Sequence, residues 1–262
     1  MTTNASRPLA LVTGASSGIG LELAKQFASH GFNLIVAAED DELSAAAREV
    51  ESLGARVDAV RVDLATGQGV EELYRHVSEA SSPLQAAALN AGIGAGGAFV
   101  SDTELDQELR LVDLNVRSTV HLAKYVVRDM VSRGHGRILF TSSIASTMPG
   151  AYAAVYNASK SFVQSFGLAL RNELKGTGVS VTLLMPGPTD TEFFDRAHLS
   201  GTKLASLYRD DPADVARDGF QALMDGRERV VSHSLVTKVQ GRSSRLLPDS
   251  VKAQMHRVMA RR

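Results

Sequence analysis

No cysteine occurs anywhere in the 262 residues. That absence excludes a disulfide framework, a thiol nucleophile, a thiolate metal site and a thiol redox switch. It also permits a reducing compartment, so a cytoplasmic location is the expectation. Long apolar runs are missing too: none approaches the roughly 18 residues a membrane helix needs. The opening MTTNASRP has neither the apolar core of a signal peptide nor an Arg-rich amphipathic pattern, and a soluble chain is expected. The 7 histidines show no metal-ligand spacing such as H-E-x-x-H, so no metal site is expected. Net charge is nearly absent as well. With 28 Lys and Arg against 29 Asp and Glu, the formal charge of −1 argues against a whole-protein nucleic-acid footprint.

The charge is unevenly spread, however. Residues 227–262 hold nine basic side chains against two acids. The resulting basic tail, 232–262, reads as a solvated or subunit-packing segment. Its Leu, Val and Met opposite Arg also have the pattern of a weak membrane-surface helix, although Pro248 limits any such helix to about fourteen residues.

What the chain does have is an ordinary globular composition, 44% hydrophobic, ample for a sizeable core. No Pro/Gly/Ser linker divides it, and no repeat or low-complexity tract is visible. One domain over 1–262 is expected, with 1–7 as a flexible arm. Short apolar runs alternate with longer amphipathic stretches. PLALVTG, FNLIVAA (32–38), ARVDAVRVD (55–63), QAAALNAG (85–92), GRILFTSS (136–143) and GVSVTLLMPG read as strands. Helices are expected near 18–30, 41–53, 68–80, 104–133 and 152–175. Strands alternating with helices of this length imply right-handed crossovers and a parallel sheet covered on both faces. The fold class is therefore α/β, a doubly wound, Rossmann-like sheet. Such sheets bind ligands where strands end and the topology reverses.

Two motifs lie at such ends. TGASSGIG puts Gly14, Gly18 and Gly20 between the first strand and first helix, where the backbone can approach a pyrophosphate at the helix N-terminus. AVYNASK stands Tyr156 and Lys160 four residues apart, hence neighbours on one helical face. An unperturbed tyrosine titrates near pH ~10, and a nearby ammonium favours its ionised form.

With TGASSGIG, NAG at 90–92, LN ending at Asn115, Ser143 ahead of Tyr156, YNASK and PGPTDT all in order, the sequence resembles the short-chain dehydrogenase/reductase family. The resemblance covers residues 8–191 and extends less specifically to about 231. It implies an NAD(P)-dependent oxidoreductase that interconverts a ketone or aldehyde and an alcohol. Tyr156 would be the general acid/base, Lys160 would lower its pKa and hold the nicotinamide ribose, Ser143 rather than Ser142 would orient the carbonyl, and Asn115 would support a water-linked proton path. The cofactor cradle would comprise Gly14, Ser16, Ser17, Gly18, Ile19 and Gly20, with Asn90, Ala91 and Gly92 beside the adenine ribose. Asp63 and Leu64 resemble the adenine-binding pair, and Pro186, Gly187, Thr189 and Thr191 would meet the nicotinamide end.

The segment 192–211 falls where the family places its substrate-covering loop, and Phe193, Phe194, Leu199 and Leu204 suit either a pocket or lid packing. The helices at 104–133 and 152–175 resemble subunit-contact helices, implying a homodimer or homotetramer. Relatives that prefer NADP usually carry an arginine or lysine in the glycine turn or after the second strand. Here the turn reads Ala15-Ser16-Ser17 and the strand end Ala37-Ala38-Glu39-Asp40-Asp41-Glu42, so NAD is favoured over NADP. Glu39 could accept from the ribose hydroxyls, although the family's usual acid falls one or two positions earlier. Acids at 39–42 equally suit the first turn of the following helix. The alternative to an enzyme is a catalytically silent nucleotide-binding regulator, which typically loses the Tyr, Lys or Ser kept here. A nucleotide-sugar epimerase would show different glycine spacing.

Overall fold

Seven strands form one parallel sheet in the order β3-β2-β1-β4-β5-β6-β7. The computed structural model describes residues 7–191, 209–231 and 248–260. Its strands are β1 (Leu9–Thr13), β2 (Asn33–Ala38), β3 (Val57–Arg61), β4 (Leu84–Leu89), β5 (Gly136–Thr141), β6 (Val179–Met185) and β7 (Arg229–Val231). The helices are α1 (Gly18–Ser29), α2 (Leu43–Glu51), α3 (Gly67–Glu79), α4 (Leu105–Val112), α5 (Ser118–Arg133), α6 (Ala154–Glu173), α7 (Pro212–Met224) and α8 (Asp249–Ala260).

Alternation along the buried strands feeds two cores. Leu9, Leu11, Ile35 and Ala37 face α3, α5 and α6, meeting Leu73, Val126, Met130 and Val163. Ala10, Val12, Leu34 and Val36 face α1, α2 and α7, meeting Leu23, Phe27, Val50 and Phe220. A sheet buried on both faces needs apolar residues at successive positions, which is why β1 is buried throughout. Because β1 pairs with both β2 and β4, the strand order reverses there, and the loops after β1 and β4 open into a crevice.

The expected helix over 104–133 is interrupted. A π turn over Asp113–Arg117 separates α4 from α5 and carries Asn115. Thr119 Oγ1 donates to the Asn115 carbonyl at 2.9 Å, tying the turn to the start of α5. The strands expected at 55–63 and 85–92 contract to Val57–Arg61 and Leu84–Leu89. β7 was not among the expected strands; it pairs with β6 from Leu183↔Arg229 to Met185↔Val231. Among the described residues, no helix is long and apolar enough to cross a membrane. The anticipated arm lies outside the described residues up to position 6, and the anticipated substrate loop lies outside them over 192–208.

Candidate active site

A cleft of about 390 Å³ runs along the C-terminal strand ends, within the size range of small-molecule sites. Its floor begins at the β1–α1 turn. Gly14 and Gly18 have φ of 64° and 53°, the left-handed region that favours glycine. A Cβ on Gly20 would lie 1.8 Å from the Gly14 carbonyl oxygen, so the turn closes only around hydrogen. Asn90 braces it: Nδ2 donates to the Thr13 carbonyl at 3.2 Å, and Oδ1 accepts from Thr141 Oγ1 at 2.9 Å. A glycine turn of this shape, open to a cleft at a helix N-terminus, fits a dinucleotide pyrophosphate.

Glu39, Asp40, Asp63 and Leu64 line the end of the cleft beyond β2 and β3. Ser16 Oγ donates to Asp40 Oδ2 at 2.8 Å. Arg110 of α4 reaches the same end, donating from Nη1 to Asp63 Oδ2 at 3.0 Å, from Nη2 to Asp63 Oδ1 at 3.3 Å, and to Glu39 Oε2. Partial burial pushes the Asp63 carboxyl up, but the Arg110 guanidinium and the Ala65 N–H outweigh it and hold the group below its usual range. A cation thus stands near the second-strand acids although neither the glycine turn nor the residues after β2 supply one. Proximity of α4 to the ends of β2 and β3 is tertiary, so no local motif could reveal it.

The helix α6 begins beside Ser143, and its first turns present Tyr156 and Lys160 to the cleft. The Ser143 side chain hydrogen-bonds the Tyr156 phenol. Lys160 is buried, with Nζ donating to the Thr141 carbonyl at 3.0 Å and standing 5.9 Å from the Tyr156 ring centroid. Burial pushes the phenol up to about 12, with Ser143 opposing it, and pushes the ammonium down to about 8. The phenol thus stands above its ordinary value rather than below it as expected, because burial outweighs the opposing influence, and the Lys160 ammonium is turned to a backbone carbonyl.

Ser142 also lines the cleft, but its hydroxyl is engaged, donating to the Lys160 carbonyl at 2.9 Å. Asn115 does not line the cleft. It sits behind it, 1% exposed, pairing Oδ1 with the Ile93 N–H and Nδ2 with the Ile93 carbonyl, each at 2.9 Å, and donating to Ser159 Oγ at 3.0 Å. Asn157 Nδ2 holds the Ala145 and Met148 carbonyls at 3.1 and 3.2 Å, fixing the loop that follows Ser143. Every other residue expected at the site lines this one cleft: the glycine turn with Ser16, Ser17 and Ile19; Glu39, Asp63 and Leu64; Asn90, Ala91 and Gly92; and Pro186, Gly187, Thr189 and Thr191.

The described part of the basic tail forms α8, one side of which packs onto the cleft. Lys252, Met255, His256 and Met259 of α8 recur at helical spacing and line the cleft. His256 is 5% exposed and its Nδ1–H donates to the Ala151 carbonyl at 2.7 Å, tethering α8 to the loop before α6. Burial pushes His256 below its ordinary value, against the opposing hydrogen bond to the Ala151 carbonyl. The repeat of cleft-facing residues from Lys252 was visible in the sequence, but not what it faced.

A family sequence model described as "short chain dehydrogenase" matches residues 8–199. The chain belongs to the short-chain dehydrogenase/reductase family. It is 32% identical over 213 residues to sulfoacetaldehyde reductase 2 of Chromohalobacter salexigens, covering 80% of this chain and 84% of that one. Among solved structures, a short-chain dehydrogenase/reductase from Burkholderia phymatum in complex with NAD superposes with TM-score 0.83 at 25% identity, covering 95% of each chain. A short-chain dehydrogenase from Sphingobium yanoikuyae in complex with NADPH superposes with TM-score 0.79 at 26% identity, covering 91% and 93%. As a short-chain dehydrogenase/reductase, the protein is an NAD(P)-dependent oxidoreductase acting on a small molecule.

Proposed function

We propose that the protein interconverts a ketone or aldehyde and the corresponding alcohol, with Tyr156 as general acid/base. The carrying observation is the Ser143–Tyr156 hydrogen bond in the cleft, with Lys160 buried beneath it. The nicotinamide, when bound, donates or accepts the hydride. Reduction builds negative charge on the carbonyl oxygen, and a hydroxyl pair aimed at that oxygen stabilises it while one member delivers a proton. A phenol held at about 12 is fully protonated at neutral pH, which suits the donor in reduction. Ser143 Oγ orients the carbonyl, Lys160 fixes the ribose and supplies positive charge below the phenol, and Asn115 braces the strand-end segment at Ile93.

NAD is the favoured cofactor. Glu39, Asp40 and Asp63 bring three carboxylates to the adenosine end of the cleft, and Arg110 beside them is already paired to two of the three. Met148, Met255 and Met259 give the opposite wall a deformable apolar surface for the substrate's organic part.

We also propose a homo-oligomer, supported by the exposed apolar side chains of Leu105 and Leu109 on α4 and Phe162 on α6. A screen of aldehydes, ketones and alcohols against both nicotinamide cofactors tests the function. Carbonyl-dependent oxidation of the reduced cofactor is the expected result; cofactor binding with no turnover of any compound would favour a silent binding protein.

A further inference from the structure

At the adenosine end, one arginine holds two carboxylates from different strands. Asp63 engages both terminal nitrogens of Arg110, and Asp63 Oδ1 also accepts the Ala65 N–H at 2.9 Å. Asp63 is thus anchored independently, and it fixes the guanidinium in place. Glu39 engages only Nη2 through Oε2. The Arg110 and Glu39 side chains are 42% and 48% exposed, so their pair is solvated and contributes little by itself. A phosphate is a better partner than a single carboxylate oxygen for a planar arginine fork, because it offers several oxygens and more charge. Neighbouring charged residues have partners of their own, Asp40 Oδ1 excepted. Asp40 accepts from Ser16, and Arg61 donates from Nε to the Glu39 carbonyl at 3.0 Å while its Nη1 pairs with Asp41.

We propose that Arg110 is a cofactor-selectivity residue: a preformed phosphate-binding cation whose free face Glu39 occupies, so that Glu39 excludes a ribose 2′-phosphate both by repulsion and by holding the cation it would need. The proposal rests on the reading that the adenosine ribose lies at this end of the cleft. It makes the choice between NAD and NADP a competition between Glu39 and phosphate for one guanidinium. Asp63 keeps Arg110 aimed at the site whichever anion is bound. The notion that the second-strand acids act alone gives a different result when both partners are changed, because repulsion does not require Arg110.

Calorimetric titration with NAD and with NADP decides between them. Glu39→Gln is expected to tighten NADP binding by about tenfold or more, while NAD binding changes only a few-fold. Arg110→Met in the Glu39→Gln background is expected to erase most of that gain, leaving only the part owed to relieved repulsion, and Arg110→Lys to retain more of it, since the lysine keeps the charge without the fork. A gain for NADP that survives in Glu39→Gln/Arg110→Met, with equal affinity in both backgrounds, would overturn the assignment of Arg110. So would the absence of any gain in Glu39→Gln. Should the unaltered protein bind neither nucleotide, the cofactor reading itself fails along with the proposal, whereas NAD binding with no response at position 39 sinks the proposal alone. The positions are partly exposed, and thermal melting of each variant verifies that it is folded.

Discussion

Lys160 Nζ donates to the Thr141 carbonyl at 3.0 Å and lies 5.9 Å from the Tyr156 ring centroid, so the ammonium is anchored on β5 rather than on the phenol. Its burial holds the lysine at about 8, below its ordinary 10.5. Carbonyl reduction is therefore expected to decline as pH rises through about 8, when Lys160 loses its charge, well before a phenol held at about 12 titrates. The pH profile of kcat/KM for reduction reports this directly. A profile flat to pH 10 would contradict the role given to the charge.

The same shift has a stability consequence of defined sign. Between about 8 and 10.5 the unfolded chain binds more protons at this lysine than the folded chain does, so its contribution to stability improves as pH rises across that window. Below about 8 the buried charge is a full penalty. Lys160→Met should therefore gain stability relative to the unaltered protein at pH 7 and lose that advantage by pH 10.5, measured as urea midpoints. It should lose turnover at both.

Asn115→Ala should reduce stability as well as activity. The change leaves the part-buried Ile93 N–H and carbonyl without their side-chain partner, and each lost hydrogen bond costs about 0.5–1.5 kcal/mol. Denaturant unfolding should show that loss, and kcat should fall because Ile93 lies in the segment that follows Gly92 in the cleft. An unchanged midpoint would remove the bracing role.

The sheet was readable because a strand buried on both faces needs an unbroken apolar run, as in Leu9–Thr13, and a helix between successive runs forces a parallel crossover. The glycine turn was readable because its geometry is local: Gly14, Gly18 and Gly20 close it by themselves. Three things were not. The interruption at Asp113–Arg117 leaves the apolar pattern of its flanking helices intact, so periodicity passes over it. Arg110 and Glu39 meet only because α4 lies near the end of β2, across 71 positions of sequence. Lys160 carries the right charge at the right spacing, but its direction is set by the Thr141 carbonyl, which spacing does not encode.

His256→Ala should release α8 from the Ala151 carbonyl. KM for the carbonyl compound is expected to rise by about tenfold, the loss of a hydrogen bond and its packing, while NAD affinity stays within a factor of about two. Equal damage to both would place α8 in general stability instead of the substrate wall.

Light scattering should report a dimer or tetramer at micromolar concentration, and Leu109→Asp with Phe162→Asp should shift it toward monomer by charging an exposed apolar face. A monomer in the unaltered protein would end that proposal.

The central claim is that Tyr156 transfers the proton. Tyr156→Phe keeps the ring in the cleft and removes only the hydroxyl that Ser143 engages. Turnover of the best carbonyl compound, measured beside calorimetric cofactor affinity, is expected to fall by about a hundred- to ten-thousandfold while affinity is retained. Substantial turnover in Tyr156→Phe with cofactor affinity intact would contradict the acid/base assignment.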